Sequence, residues 1–423
     1  MPRVILIELF SLEPIGIGTA AVESLTSYLT RLAEAHCVTV GTLIGKVVAK
    51  ELGKEYLLES SKHGGSRFYE QGPGLNGLGK QATDLSSALY NLTGCDVSSL
   101  TVQSWRDIIP ATALLRKYKA WCPICLDDWK NNHNPIYEPL IWNFKLINVC
   151  GNHGALLNTH CPLCGSEIPV LSRKTRNGYC SFCGCWLGSQ NAYYHDKESA
   201  HPSWDCFVVS NIGNLLGGVQ LQTNYFTDFI ENLISKAGGL TAFSQYFNIA
   251  KSTVSEWSNG LHKPSLLMLL QLCYSLGLNV LDLGKPFALP DKNNANMNEN
   301  TMHNHGRRRI DWNAVQTTLT EIICHSNIRT PSLREVAREL RIDKRSLYYH
   351  FSELCNEISR NHSIQIHMMK NNRIEDGYEK IKDIITDSYS IGEYPSRRTI
   401  EKALPSSIIL RERAFKDYWK TLT

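Results

Sequence analysis

Apolar residues recur at helical spacing through most of the chain, and cysteines fall in close pairs near its middle; together these predict a mainly α fold around a metal-stapled centre. Ser, Asp or Pro at several helix starts, and Gly at helix ends, support the same reading. At 423 residues the chain suits about two to four domains, and 43% apolar residues supply real cores and not a disordered chain. A run of roughly 18 apolar residues is not found, which predicts no membrane span.

Taken in order, Met1 to Phe10 reads as a short buried strand or extended segment. It lacks the small-residue cleavage site of a signal peptide. Val22 to Ala35 reads as a helix, with Leu25, Leu29, Leu32 and Tyr28 on one face. Residues 64–80, with Gly64, Gly65, Gly72, Pro73, Gly74, Gly77 and Gly79, read as a loop. No Gly-Lys-Ser/Thr ends it and no strand precedes it, so it is not a phosphate loop. Residues 210–283 read as helical, 286–306 as an Asn-rich linker, and 309–423 as a second helical region. The expected division is 1–118 helical, 119–190 cysteine-rich, 191–285 helical, 286–308 linker and 309–423 basic and helical. In the last segment Pro331-Ser-Leu-Arg-Glu-Val-Ala-Arg-Glu-Leu340 is echoed by Pro395-Ser-Arg-Arg-Thr-Ile-Glu-Lys-Ala-Leu404. Ser332 and Glu335 form a capping-box pair, whereas the second copy keeps Ser396 and loses the Glu.

Charge is unevenly spread. Arg307 to Thr423 holds 21 Lys and Arg against 16 Asp and Glu, an excess larger than the +4 of the whole chain. A polyanionic partner suits that segment.

Eight of the fourteen cysteines lie between Cys122 and Cys185. Cys122-x2-Cys125 is followed by Cys150-x2-His153, then by Cys161-x2-Cys164 and Cys180-x2-Cys183. Each pair sets two ligands on one knuckle, and two knuckles close a tetrahedron about Zn²⁺. The expectation is two structural zinc ions, each supplying on the order of 10 kcal/mol of folding free energy. Every ligand position is filled by protein, which leaves no open position for a reactive water. Paired spacing without a secretory segment predicts a reducing, cytoplasmic setting. Zinc deaminases share Pro-Cys-x-x-Cys but need an upstream His-x-Glu. None precedes Cys122 and none lies between Cys125 and Cys161, so no enzymatic centre is expected. Cys185 and His160 read as packing or surface residues, and Cys37, Cys95, Cys206, Cys273, Cys324 and Cys355 as buried small hydrophobes.

Two helix-turn-helix patterns follow. In Gly239 to Leu283, Leu240, Phe243 and Phe247 give an apolar face and Asn248-Ile249-Ala250 a turn. A second helix follows from Ser252 to Trp257, anchored by Val254 and Trp257. It offers Lys251 and Ser252, with Thr253, Ser255 and Glu256 alongside, and Glu256 opposes phosphate. The unit Pro331 to Phe351 is better equipped. Val336, Leu340, Ile342, Leu347 and Phe351 suit a small core, and Asp343 caps a helix exposing Lys344, Arg345, Ser346, Tyr348 and Tyr349. The fold class is therefore mainly α, with helix-turn-helix units flanking a central tandem zinc-finger region. The candidate DNA-binding residues are these five with Lys251 and Ser252.

These parts in this order resemble the TniQ/TnsD family of transposition target selectors. The resemblance is carried by Glu23-Ser-Leu-x-Ser-Tyr-Leu-x-Arg-Leu-Ala33 and by Trp121-Cys-Pro-x-Cys125. Trp142, Cys150-x-x-His153, Leu156 and Cys161-Pro-x-Cys-Gly165 continue it, and Pro-Ser-x-x-x-Val-Ala-x-x-Leu340 and Leu-Tyr-x-His-Phe351 complete it. It implies a nucleoid-associated bacterial adaptor that marks double-stranded target DNA and recruits an AAA+ ATPase and, through it, a transposase. Some members attach instead to a CRISPR RNA-guided complex. A contact near Glu23 to Ala33 with the ATPase, and self-association, are compatible with it. The competing class is a stand-alone zinc-containing transcription regulator, distinguished by the absence of neighbouring ATPase and transposase genes.

Overall fold

Ser24 starts the first helix: its hydroxyl accepts from the Ser27 backbone N–H at 3.3 Å. The cap satisfies a donor with no intrahelical partner, so α1 (Leu25–Ala35) begins at Leu25 and not at Val22. The computed structural model describes residues 8–53, 67–188, 202–218, 225–285, 287, 289, 310–324, 330–405 and 408–423. The segment expected at Met1 to Phe10 and the Asn-rich linker lie almost wholly outside these residues.

Leu25, Tyr28, Leu29 and Leu32 are fully buried, and so are Glu23, Ser24 and Thr30 of the same motif. Burying a carboxylate is costly unless it is paired. Arg31 answers Glu23 with Nε and Nη2 bonds of 2.8 and 2.7 Å, and the Ser27 hydroxyl donates at 2.8 Å. Burial nevertheless pushes the Glu23 carboxyl above its ordinary range, with Arg31 opposing. The motif that carries the family resemblance thus builds the core and does not face outward.

α2 (Val40–Glu51) passes through a π turn at Ile44–Val48 and lies at 93° to α1. The glycine-rich stretch is not simply a loop. Its described part forms helical turns at Arg67–Glu70 and Gly72–Leu75 before α3 (Lys80–Thr93). A Cβ on Gly72 would sit 3.2 Å from the Leu171 backbone nitrogen. Glycine there permits close approach to the cysteine-rich region. α4 (Pro123–Asn131), α5 (Pro202–Leu216) and α6 (Tyr225–Lys236) follow. α7 (Leu240–Phe247), α8 (Lys251–Ser258) and α9 (Leu266–Ser275) then form the first helix-turn-helix. One buried core runs through all of this, from Leu9 to Leu283.

The C-terminal region is α10 (Trp312–Cys324), α11 (Leu333–Glu339), α12 (Lys344–His350) and the 39-residue α13 (Ser352–Ser390), then α14 (Arg397–Ala403) and α15 (Arg413–Leu422). Two small cores are strung along α13. The first joins Val315, Leu319, Leu333, Val336, Leu347, Cys355 and Ile358. The second joins Ile381, Ile385, Ile400, Leu404, Leu410 and Phe415. The sequence echo is therefore structural: Val336 and Ile400 are both buried, and Ser332 and Ser396 both cap. Ser332 accepts from Glu335 N–H at 3.3 Å while the Glu335 carboxylate accepts from Ser332 N–H at 2.6 Å, completing the capping box.

Among the described residues there is no strand, only isolated bridges. No single helix among them is long and apolar enough to cross a membrane. One sequence expectation fails in part: Cys273 and Cys355 are buried, but Cys37, Cys206 and Cys324 are exposed and Cys95 is half-buried. Cys37 sits just past α1 at a φ of 52°, where the chain turns at the surface and leaves its side chain exposed.

Candidate metal centres and nucleic-acid interface

Three of the four knuckles share one backbone design. In each, the first Cys N–H donates to a carbonyl five residues on: Cys150 to Ala155 at 2.8 Å, Cys161 to Ser166 at 3.1 Å, Cys180 to Cys185 at 2.9 Å. Gly154, Gly165 and Gly184 donate back to those cysteines' carbonyls and hold φ of 64°, 66° and 74°. An L side chain rarely adopts that left-handed region, so Gly after the second ligand lets the loop double back. Antiparallel bridges Val149–Leu156, His160–Glu167 and Tyr179–Trp186 close the three loops. The fourth knuckle differs. Cys122 is the N-cap of α4 and Pro123 its first residue, so Cys125 lies in the helix's first turn.

These loops bring the eight ligand candidates together as two quartets, and each quartet could hold a metal ion, with its donor atoms all within 4.8 Å of one another. In the first, Cys125 Sγ lies 3.5 Å from Cys150 Sγ and 3.3 Å from His153 Nδ1, and Cys122 Sγ lies 3.5 Å from His153 Nδ1. In the second, Cys161 to Cys183 is 3.6 Å and Cys164 to Cys180 is 3.7 Å. A zinc–sulfur bond of about 2.3 Å gives a tetrahedron edge of about 3.8 Å, so the donors stand where a tetrahedral Zn²⁺ needs them. Neighbouring thiols donating to Cys150 and Cys161 pull both below the ordinary thiol range, while hydrogen bonding to Cys122 and Cys161 respectively pushes Cys125 and Cys183 up. Sulfurs so close cannot all ionise without a cation among them.

Sequence reasoning missed the support of these quartets. His153 Nε2 lies 3.1 Å from Asp128 Oδ2, leaving Nδ1 for the metal. A carboxylate behind a ligating His fixes ring orientation, and its place one turn along α4 from Cys125 was the available clue. The quartets are also wired to each other. Trp186 Nε1 donates to Asp127 of α4 at 2.6 Å, and Trp121 Nε1 donates to the Leu187 carbonyl at 3.0 Å. Lys130 lies over the Trp186 ring at 4.6 Å. Trp142, also part of the family resemblance, stacks on Trp129 of α4. Cys185 donates to its neighbour's carbonyl and His160 engages Thr159, Glu335 and Arg338, so neither joins a quartet.

Both helix-turn-helix patterns form. Asn248 makes the first turn at φ 50°, and Val254 and Trp257 anchor α8 in the large core. Lys251 and Ser252 are exposed, but Thr253, Ser255 and Glu256 are half-buried, so the face is narrower than the sequence suggested. In the second unit Arg341 makes the turn at φ 54°, and Asp343 accepts from the Arg345 N–H at 2.9 Å. Lys344 and Arg345 are exposed and Tyr349 is 87% exposed. Ser346 is half-buried; Tyr348, also half-buried, has its hydroxyl 3.5 Å from Ser359, with Lys344 5.5 Å above its ring.

Residues 14–157, about a third of the chain, match the TniQ family model. That stretch holds α1 through α4 and the first quartet, while the second quartet and everything after it lie beyond the match. Among curated proteins, none matches the chain. TniQ proteins are non-catalytic adaptors associated with transposition.

Proposed function

We propose that this protein is a target-site selection adaptor for DNA transposition. It binds double-stranded target DNA, or a CRISPR RNA-guided complex on that DNA, and recruits an AAA+ ATPase and through it a transposase. In this reading residues 1–118 form the TniQ-like helical part, 119–190 hold two structural Zn²⁺ ions, and 191–285 carry the first helix-turn-helix. Residues 286–308 link these to the DNA-facing region 309–423. Zn²⁺ is held by Cys122, Cys125, Cys150 and His153 and by Cys161, Cys164, Cys180 and Cys183, and it fixes loops without taking part in a reaction. The recruiting surface belongs outside the Glu23–Ala33 motif, whose side chains are turned inward.

The observation that carries the DNA reading is the α12 face. Two exposed cations stand at a capped helix start, beside Tyr349, on a unit with its own core. Lys344 and Arg345 neutralise phosphates or reach guanine edges; Ser346, Tyr348 and Tyr349 position them. Lys251 and Ser252 on α8 contribute less, because their face is narrow and Glu256 adjoins it. The test is a salt series on DNA fragments, alone and with a guide-RNA complex. Lys344→Ala/Arg345→Ala lowers affinity and flattens the log–log salt slope by about one unit for each phosphate no longer neutralised, and Lys251→Ala/Ser252→Ala lowers it less. Equal and negligible effects from both would transfer target finding to the partner complex.

A further inference from the structure

The two C-terminal cores are closed within themselves, and on α13 only the half-buried Ile366 and Met369 lean on the large core. Among the described residues the remaining ties between the regions are largely ionic, and they converge on the loop between Cys161 and Cys180. At one end Glu167 pairs with Arg338 of α11 at 2.9 Å and with Arg334 at 3.8 Å. His160 Nε2 lies 3.1 Å from Arg338, and the Arg334 guanidinium covers the Tyr118 ring at 5.0 Å. At the other end Lys174 reaches Glu412, the N-cap residue of α15, at 3.0 Å. Arg373 of α13 holds the same carboxylate with bonds of 2.9 and 2.6 Å. Next to it, Glu34 of α1 is shared by Arg176 of the loop at 3.3 Å and Arg411 of the C-terminal region at 3.6 Å.

We infer that the loop between Cys161 and Cys180 is a charge latch that seats the C-terminal region on the TniQ-domain part of the chain. The signs are matched end by end: an acid of the loop meets Arg334 and Arg338 of α11, and a base of the loop meets the acidic cap of α15. The cysteines bounding the loop hold Glu167 and Lys174 at a set separation, so the loop engages both small units at once. α13 is continuous between those units, which makes the two ends act together. Arg334 and Arg338 remain about half exposed, so salt weakens that end, while Glu412 is nearly buried and is screened less. The latch fixes where α12 presents Lys344 and Arg345; this consequence rests on the DNA reading above, whereas the latch itself does not.

The test uses the full chain and small-angle scattering. Glu167→Lys/Lys174→Glu leaves net charge unchanged and turns both ends repulsive. A larger radius of gyration is expected at low salt, with two zinc ions per chain retained. Glu167→Asp/Lys174→Arg keeps the signs and stays as small as the parent. In the parent, rising salt is expected to produce a smaller expansion, because the Glu412 end is screened less. If the reversal costs a zinc ion, Arg334→Glu/Arg338→Glu repeats the experiment from α11, far in sequence from any cysteine knuckle. Reversed variants as small as the parent overturn the latch, as does an equal expansion in the sign-preserving pair. Expansion of the reversed chain with unaltered DNA affinity would leave the latch standing and remove α12 from the DNA interface.

Discussion

The two quartets reach one tetrahedral arrangement by different routes. The first hangs one knuckle on the start of α4 and ends on an imidazole, whose second nitrogen is held by Asp128 and whose ring is partly open to water. The second uses four sulfurs on two loops of the same design, all of them buried. A histidine ligand has a second nitrogen that must be satisfied, so its site extends outward to a carboxylate; a thiolate has none and can close over completely. Position, as much as ligand type, separates them: the first belongs to the matched TniQ stretch and the second to the seat of the C-terminal region.

Removing a ligand is the strongest way to break this contrast. Cys125→Ser and Cys164→Ser are each expected to lower bound zinc from two ions to one by elemental analysis. Each forfeits much of a metal-folding contribution on the order of 10 kcal/mol, seen as insolubility or rapid proteolysis. A folded parent with fewer than two zinc ions would refute the two-site reading. Next in size is the wiring between quartets. A Cβ on Gly188 would lie 1.9 Å from Asp127 Oδ1 and 2.2 Å from Trp186 Nε1. Gly188→Ala should destabilise the protein by about 1–3 kcal/mol in denaturant melts, through overpacking. An unchanged midpoint would mean that the two quartets fold independently. Asp128→Asn sharpens the difference between them: zinc affinity at the first quartet should fall about 10–100-fold, with the second unaffected. In the parent, a chelator should likewise empty the first quartet sooner, because His153 gives it an exposed edge; simultaneous loss would erase the distinction. Smallest is Lys130→Ala, which removes the cation over Trp186 and should cost about 0.5–1 kcal/mol.

Much of this was legible in the sequence where chemistry is local. Knuckle spacing named the eight residues that the fold gathers into two quartets able to hold a metal, and the caps at Ser332 and Asp343 were readable because they depend on residues within one turn. What escaped depends on distant neighbours. Gly72 reads as flexibility until Leu171 is seen against it. Nothing in its local sequence marks Glu23 as a buried acid; only the fold shows Arg31 and Ser27 enclosing it. Cys37 and Cys273 are chemically the same residue, and only their surroundings put one in water and the other in the core. The Glu167 and Glu412 ion pairs join residues far apart in sequence, and no periodicity encodes them.

Gly377 bears on how α13 works. Glycine costs an exposed helix interior about 1 kcal/mol against Ala, yet it stands inside this 39-residue helix because a Cβ there would lie 2.3 Å from the Phe415 ring. At 1.5 Å per residue the 39-residue helix is a girder of about 58 Å. A girder pivoting near its midpoint amplifies motion: a tilt of about 5° there would carry each end by about 2.5 Å. That is comparable to the reach of a hydrogen bond, so a small nudge on one end would make or break a bond at the other.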